Sequence, residues 1–350
     1  MNVGLIGCGG IADLHMKVYK NLKNVNVVGL CDLNLERARD LANKYSVEKT
    51  FGDYMDLFAI KDLDLVDICT PVSTHVKIVC DAAKAVPAIL VEKPMALNVS
   101  ECEEMIAEVK KHGSKLCIGH NQIFLPSIQQ AKSLVDNGDY DLFSFRTFQK
   151  ESFELLNAQK LSPDWNVTPS QKGIIWEVCA HLAYLQLHFL PDIKEVYAVG
   201  GKVRYPVYDN FAVFLRTMDQ RFGLIELSWT AKETEIIYEI EDTKGKRAKI
   251  YRDFDYFVEN SAKPPFSAGG VARVLFTEEK RLLQKWTKFA FNYFRNRKMI
   301  PHTSLLSKYF ESIEQDFPPP VTPEEGKNTV YLLECIEKSL DEQRPVKVNF

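Results

Sequence analysis

The chain has 350 residues, enough for two domains, and its make-up (46% hydrophobic, 26% charged) is that of an ordinary globular protein with a sizeable core. A formal net charge of −3 excludes a global attraction to nucleic acid or to an anionic membrane, so either partner would need a local basic patch. Eight scattered cysteines, without a C-x-x-C pair and mostly inside apolar runs, point to a reduced, cytoplasmic protein, and no apolar stretch reaches the roughly 18 residues needed to span a bilayer.

Through the first 120 residues short apolar runs alternate with helical patterns. NVGLIG, VNVVGLCD, LDLVDICTP, PAILVEKP and SKLCIGHN read as strands, and the segments near 11–22, 35–45, 75–86 and 100–112 carry apolar residues at helical spacing. This alternation predicts an α/β, doubly wound parallel sheet, in which ligands gather at the carboxyl ends of the strands. The first run ends in GLIGCGGIADLH, placing Gly7, Gly9 and Ala12 at a strand-to-helix turn. Gly7 permits the turn, Gly9 lets a pyrophosphate approach the backbone, and the small Ala12 lets helix and strand pack closely. Asp32 ends the second run, where an acid accepts hydrogen bonds from a ribose and repels a 2′-phosphate, which favours NAD over NADP. Arg37 and Arg39 on the following helix weaken that preference, although solvated helix-surface residues are their ordinary reading.

CTPVSTHVKIV follows, with Thr70-Pro71 stopping a strand and His75 opening a helix; taken alone these are a helix cap and a surface histidine. AILVEKPMAL then drives an apolar strand into Glu92 and Lys93 and stops at Pro94. Successive strand side chains point to opposite faces, so the two charges cannot enter one pocket while the chain stays extended. Beyond residue 121, FSFRTFQ, EVYAVGGKV, NFAVFLRTM, FGLIELSWT, TEIIYEIEDTKG and KRAKIYR run with few helices between them, predicting an open, mainly antiparallel sheet in an α+β domain. KGIIWEVCAHLAYL reads as a helix carrying Glu177 and His181 four residues apart on one face.

GLIGCGGIADLH, CTPVSTH, VEKPMAL and the late PPPVTPEEGKNTVYLLECIEKS together resemble the glucose-fructose oxidoreductase, inositol dehydrogenase and rhizopine catabolism family, Gfo/Idh/MocA, over nearly the whole chain. The resemblance implies a Rossmann domain over 1–120 and a substrate-binding and oligomerisation domain over 121–350, with a last helix at about 323–340 bracing the two. It implies NAD-dependent oxidation of a secondary hydroxyl on a sugar, sugar nucleotide or cyclitol by a homodimer or homotetramer. The cofactor set it implies is Gly7, Gly9, Gly10, Ile11, Ala12, Asp32, Arg37, Thr70, Pro71, His75, Glu92, Lys93 and Asn121, with Pro94 holding the turn through a cis bond. No metal is expected. Around the catalytic helix the chain departs from the family, with Glu177 for an Asp, Cys179 for a Gly and Tyr184 for a second Asp. These departures leave open a non-catalytic NAD-binding regulator or scaffold, and relatives that are NAD-dependent glycosidases supply a third reading.

Oxidising an alcohol needs a base for the hydroxyl proton while hydride leaves for the nicotinamide. Bringing a lysine from about 10.4 to about 7 would take roughly 4 to 5 kcal/mol of differential stabilisation, whereas a histidine near 6.5 needs almost no tuning. His181 is therefore the expected base, Lys93 the cation on the developing alkoxide, and Glu177 the orienting partner; the alternative is that the longer Glu swings toward Lys93 and lowers the site's competence. Gln122, Trp165, Asn166 and Tyr184 are the substrate candidates. Ile123 and Asn166 stand where the family often has arginine, which argues against its usual polar contacts at those points.

From Lys280 to Lys298 seven basic residues and no acidic one flank a helical stripe of Leu282, Leu283, Trp286, Phe289, Ala290 and Tyr293. Such a segment suits an anionic membrane surface, which would place the protein peripherally at the inner membrane face, or a diphosphate-linked substrate. The ordinary reading is a packed helix with a solvated basic face. Thr322 with Glu325 predicts a capping box before the last helix.

Overall fold

The computed structural model describes residues 1–158, 167–169, 172–260 and 300–350. Trp165, Asn166 and the basic segment 280–298 lie outside the described residues.

Six parallel strands form the first sheet: β1 (Asn2–Ile6), β2 (Asn26–Cys31), β3 (Thr50–Phe51), β4 (Leu65–Ile68), β5 (Ala88–Val91) and β6 (Lys115–Ile118), in the order β3-β2-β1-β4-β5-β6. Helices cover both faces, so β4 and β5 are buried throughout, which is why they read as unbroken apolar runs. The order reverses between β1 and β4, and the crevice opened there lies at the carboxyl ends of both strands. Of these six, β3 alone is not legible as a strand in the sequence, since two residues carry no periodicity.

The second sheet has eight strands: β7 (Leu142–Ser152), β8 (Ile193–Gly201), β9 (Asn210–Thr217), β10 (Phe222–Ser228), β11 (Thr230–Asp242), β12 (Arg247–Tyr251), β13 (Tyr256–Asn260) and β14 (Val346–Lys347), in the order β13-β12-β11-β7-β10-β9-β8-β14. Its pairings are antiparallel except for β7 with β10, which run parallel. One face packs on the helix Cys179–Phe189, whose residues Leu182, Ala183 and Leu185 are fully buried. On the other face, among the described residues, Tyr197, Val199 and Phe214 are exposed.

Two helices tie the halves together. The helix Ile300–Glu314 comes after β13 of the second sheet in sequence yet returns to the first sheet, where the Tyr309 hydroxyl meets the carbonyls of Ile89 and Lys115 at 2.9 and 2.8 Å. The helix Pro323–Glu342 opens with the expected capping box, Glu325 N–H donating to Thr322 Oγ1 at 3.2 Å and Thr322 N–H to Glu325 Oε2 at 2.7 Å. Gly326 lets this helix lie on the first sheet, because a Cβ there would stand 2.8 Å from Ile118 and 2.9 Å from the Met95 sulfur. Along its length Glu334 accepts the Val99 N–H at 3.0 Å and Ser339 accepts the Ala198 N–H at 2.9 Å, so one helix holds both halves.

Candidate active site

The turn after β1 is built for close approach. Gly7 has φ +91°, and a Cβ on it would lie 2.8 Å from the Cys69 carbonyl at the end of β4. Gly9 precedes the first helix, Gly10 and Ile11 begin it, and a Cβ on Gly9 or Gly10 would meet nothing within 4 Å, which leaves room for a bulky anion at the helix start. Ala12 is fully buried against the sheet. Asp32 is anchored to the same turn, accepting from Cys8 N–H and Asn34 N–H at 2.8 Å each, which directs its carboxylate to the lip of the crevice. Arg37 and Arg39 are exposed on the next helix.

Thr70 and the exposed Pro71 end β4, and Thr74 Oγ1 donates to Thr70 Oγ1 at 2.7 Å. His75 is no surface residue. It is 1% exposed and spans from the Thr70 carbonyl (2.9 Å) to that of Pro94 (3.1 Å), stapling the loop after β4 to the loop after β5. Burial lowers its pKa although the carbonyls on both ring nitrogens favour the charged form, and the ring when neutral donates to only one side at a time.

The two charges after β5 part as the pleat requires. Glu92 turns into the first half, where Oε1 is 3.3 Å from His15 Nε2, while His15 Nδ1 is 2.7 Å from Asp67. His15 and Glu92 also lie near His302, their ligand-capable atoms within 4.8 Å of one another. Lys93, next to a cis bond to Pro94, turns the other way and donates from Nζ to Glu177 Oε1 and to the Glu177 carbonyl, both at 3.0 Å.

That second bond exists because the expected single helix is broken. Gly173–Glu177 and Cys179–Phe189 are separate helices joined at Val178, and the His181 N–H is taken by the Val178 carbonyl at 3.0 Å, leaving the Glu177 carbonyl for Lys93. The expectation that Glu177 orients His181 is corrected accordingly: of the two positions open to the longer side chain, it occupies the one on Lys93. The partner of His181 Nδ1 is the Tyr184 hydroxyl, at 2.8 Å. Tyr184 also receives the Gln122 N–H (3.0 Å) and donates to Asn121 Oδ1 (3.2 Å), so helix and β6 loop meet on one phenol. His120 stacks on that ring with centroids 4.3 Å apart. Burial, with Lys93 and Arg252 adding to it, holds the His181 pKa well below the ordinary 6.5.

Lys93, Glu177, His181, Asn121, Gln122 and Tyr184 are thus brought together at the carboxyl edge of the first sheet, beneath the inner face of the second. Arg252 went unnoticed in the sequence because nothing local marks it; it lies just past β12 and its charge acts on His181, Tyr184 and Tyr238.

The family model described as oxidoreductase family, NAD-binding Rossmann fold, matches residues 1–120, and the GFO/IDH/MocA C-terminal domain model matches 128–247. Myo-inositol 2-dehydrogenase of Thermotoga maritima is 24% identical over 99% of this chain and 98% of its own length. The uncharacterised oxidoreductase YrbE of Bacillus subtilis is 26% identical over 59% of this chain, which spans only 58% of that protein. Among solved structures, levoglucosan dehydrogenase in complex with NADH and L-sorbose superposes with a TM-score of 0.79 at 19% identity over 100% of this chain and 99% of that one, a likeness of fold. With the two domain models of one family matched in order over 1–120 and 128–247, the chain belongs to the GFO/IDH/MocA family of NAD-binding oxidoreductases.

Proposed function

We propose that the protein is an NAD-dependent dehydrogenase that oxidises a secondary hydroxyl of a sugar, sugar nucleotide or cyclitol, with Lys93 and His181 as its catalytic residues. The observation that carries this reading is the convergence of an ammonium and an imidazole of depressed pKa, Lys93 on the loop after β5 and His181 on the helix Cys179–Phe189, with the lysine's charge acting on the histidine. NAD, when bound, supplies the hydride acceptor, and the open space at Gly9 and Gly10 with the carboxylate of Asp32 fits its pyrophosphate and ribose. The chain's own groups manage the proton. His181 Nε2 takes it from the alcohol, and Lys93 stabilises the oxygen's developing negative charge. Glu177 positions Lys93 by holding Nζ with its carboxylate and carbonyl.

The named substrates of relatives support a polyhydroxylated substrate. Two further parts of the reading concern organisation. The two sheets support a division into a cofactor domain of 1–120 and a substrate domain beyond it, bridged by Pro323–Glu342. Tyr197, Val199 and Phe214 are exposed on the face of the second sheet away from the helix Cys179–Phe189, Tyr197 directly opposite Phe214, which supports a homo-oligomer closing over that face. Among the described residues no helix is long and apolar enough to cross a membrane. A reducing, cytoplasmic setting is supported by eight free, buried cysteines.

Absorbance in the reduced-nicotinamide band, followed with NAD and a panel of inositols, free sugars and UDP-sugars, tests the reading. Reduction by one class, slowed about a hundred- to a thousandfold in Lys93→Ala, is expected; tight NAD binding with no reduction by any compound would leave a non-catalytic NAD-binding protein instead.

A further inference from the structure

The inner face of the second sheet carries buried polar side chains that hydride transfer does not use. Gln149 and Glu151, on the same face of β7, are 4% and 8% exposed at positions where a sheet packed on a helix would ordinarily place apolar groups. Gln149 Nε2 donates to Glu151 Oε2 at 2.8 Å, while the buried Gln149 Oε1 has no hydrogen-bond partner. Arg252 comes in from the end of β12, with Nη2 3.7 Å from Glu151 Oε1, too far for a hydrogen bond. Its Nε is shielded from solvent and likewise lacks a hydrogen-bond partner, the Asp253 carboxylate standing off at 3.4 Å. Gln149 Oε1 and Arg252 Nε are thus each shielded from solvent without a hydrogen bond, beside a Glu151 oxygen that the guanidinium does not reach, a costly state for the two shielded atoms unless something else completes them.

The cluster is continuous with the active site. Tyr238, opposite Thr147 of β7, donates to Gln122 Oε1 at 2.8 Å, and the Gln122 N–H holds the Tyr184 hydroxyl that bonds His181. The Arg252 charge acts on Tyr238, Tyr184 and His181.

We infer that Gln149, Glu151 and Arg252 form the subsite for the end of the substrate remote from the reacting carbon, and that it takes a vicinal diol of an uncharged polyol. This rests on the dehydrogenase reading above and narrows its substrate class. Each hydroxyl of a diol both donates and accepts. One donates to Glu151 Oε1 while accepting from Arg252, and its neighbour donates to Gln149 Oε1. A phosphate or carboxylate only accepts. It would satisfy Arg252 but bring a second negative charge onto a buried carboxylate.

The test measures NADH formation and, separately, calorimetric binding to the NAD-loaded protein, using myo-inositol and D-glucose against myo-inositol 1-phosphate and D-glucuronate. The wild type is expected to favour the neutral member of each pair. Glu151→Gln and Arg252→Lys, both checked for folding by circular dichroism, should raise KM and Kd for the neutral compound by about ten- to a hundredfold. Most of that loss should appear in KM rather than kcat, and Glu151→Gln should narrow the gap to the anionic compound. Binding without NADH formation, weakened by the same variants, would keep the subsite and overturn the dehydrogenase reading. NADH formation indifferent to both variants, or a wild-type preference for the anionic member, would overturn the subsite and keep the dehydrogenase. Failure of both neutral compounds to bind the NAD-loaded protein would also overturn the subsite.

Discussion

Lys93 Nζ lies 3.0 Å from Glu177 Oε1 and 3.0 Å from the carbonyl oxygen of the same residue, a two-point grip across 84 positions of sequence. The grip fixes the ammonium where a developing alkoxide would need it, at a side chain only 11% exposed. Lys93→Ala is therefore expected to lower kcat by about a hundred- to a thousandfold, the usual effect of removing one preorganised donor from such an oxygen. Glu177→Gln keeps the shape and the backbone carbonyl but removes the countercharge, so a smaller loss, about tenfold, is expected. Stopped-flow single-turnover rates with NAD and an identified substrate measure both, and equal effects of the two variants would show that Glu177 does more than hold Lys93.

The depressed pKa of His181 sets the acid side of the pH profile. Burial, then Lys93 and Arg252, disfavour its protonated form, so the ring is an available base throughout the neutral range and loses that role only as pH falls through a value below 6.5. The acid limb of kcat/KM should accordingly lie below pH 6.5. Removing a neighbouring cation must raise the histidine's pKa, so in Lys93→Ala the His181 ring, followed by its proton NMR titration, should protonate at higher pH than in the wild type. A downward or absent shift would contradict the electrostatic account.

Tyr184 determines which nitrogen of His181 does the work. One hydroxyl lone pair is taken by the Gln122 N–H; with the hydroxyl proton directed to Asn121 Oδ1, which can only accept, His181 Nδ1 is the donor and Nε2 the free base. Tyr184→Phe leaves the Gln122 N–H and the Asn121 carbonyl buried without that partner, at a cost of about 1–3 kcal/mol each. A lower melting temperature is expected together with a drop of about ten- to a hundredfold in kcat/KM. The diagnostic readout is the nitrogen NMR signature of His181, which should show the Nδ1-protonated tautomer in the wild type and a mixture in the variant.

The parts of this site that were legible in the sequence are those fixed by local chemistry. Gly7, Gly9 and Asp32 follow from what a strand-to-helix turn and a strand end demand, and the opposite facing of Glu92 and Lys93 follows from the pleat alone. The helix carrying Glu177 and His181 was read as continuous because apolar periodicity runs straight through Val178, and periodicity does not register a carbonyl diverted to a lysine. Arg252, Gln149 and Glu151 meet only because β11 lies between β7 and β12, a pairing set by the tertiary fold. Likewise the return of Ile300–Glu314 to the first sheet depends on Tyr309 reaching two carbonyls 220 and 194 residues earlier in the chain, which no local pattern announces.

His15 carries a stability role separable from catalysis. It stands between two buried carboxylates, 2.7 Å from Asp67 and 3.3 Å from Glu92, with all three side chains nearly inaccessible. Burial alone would push the His15 pKa down, but Asp67 outweighs it and holds the value well above 6.5. Burial would push Glu92 up, but His15 outweighs it and brings the carboxyl from 4.5 to about 2. The histidine's contribution is whole below its unfolded value of about 6.5 and drains away as pH rises through the raised folded value. The glutamate's contribution is whole above 4.5 and is lost as pH falls towards 2. Replacing His15 with Gln removes the cation between two buried carboxylates, leaving Asp67 with the Tyr19 hydroxyl and Glu92 with the charge of Lys93 nearby, and breaking a buried pair in this way costs about 3–5 kcal/mol. Thermal denaturation of the wild type and His15→Gln across pH should show the widest gap between pH 4.5 and 6.5, narrowing on both sides. A gap independent of pH would mean that His15 acts through packing rather than charge.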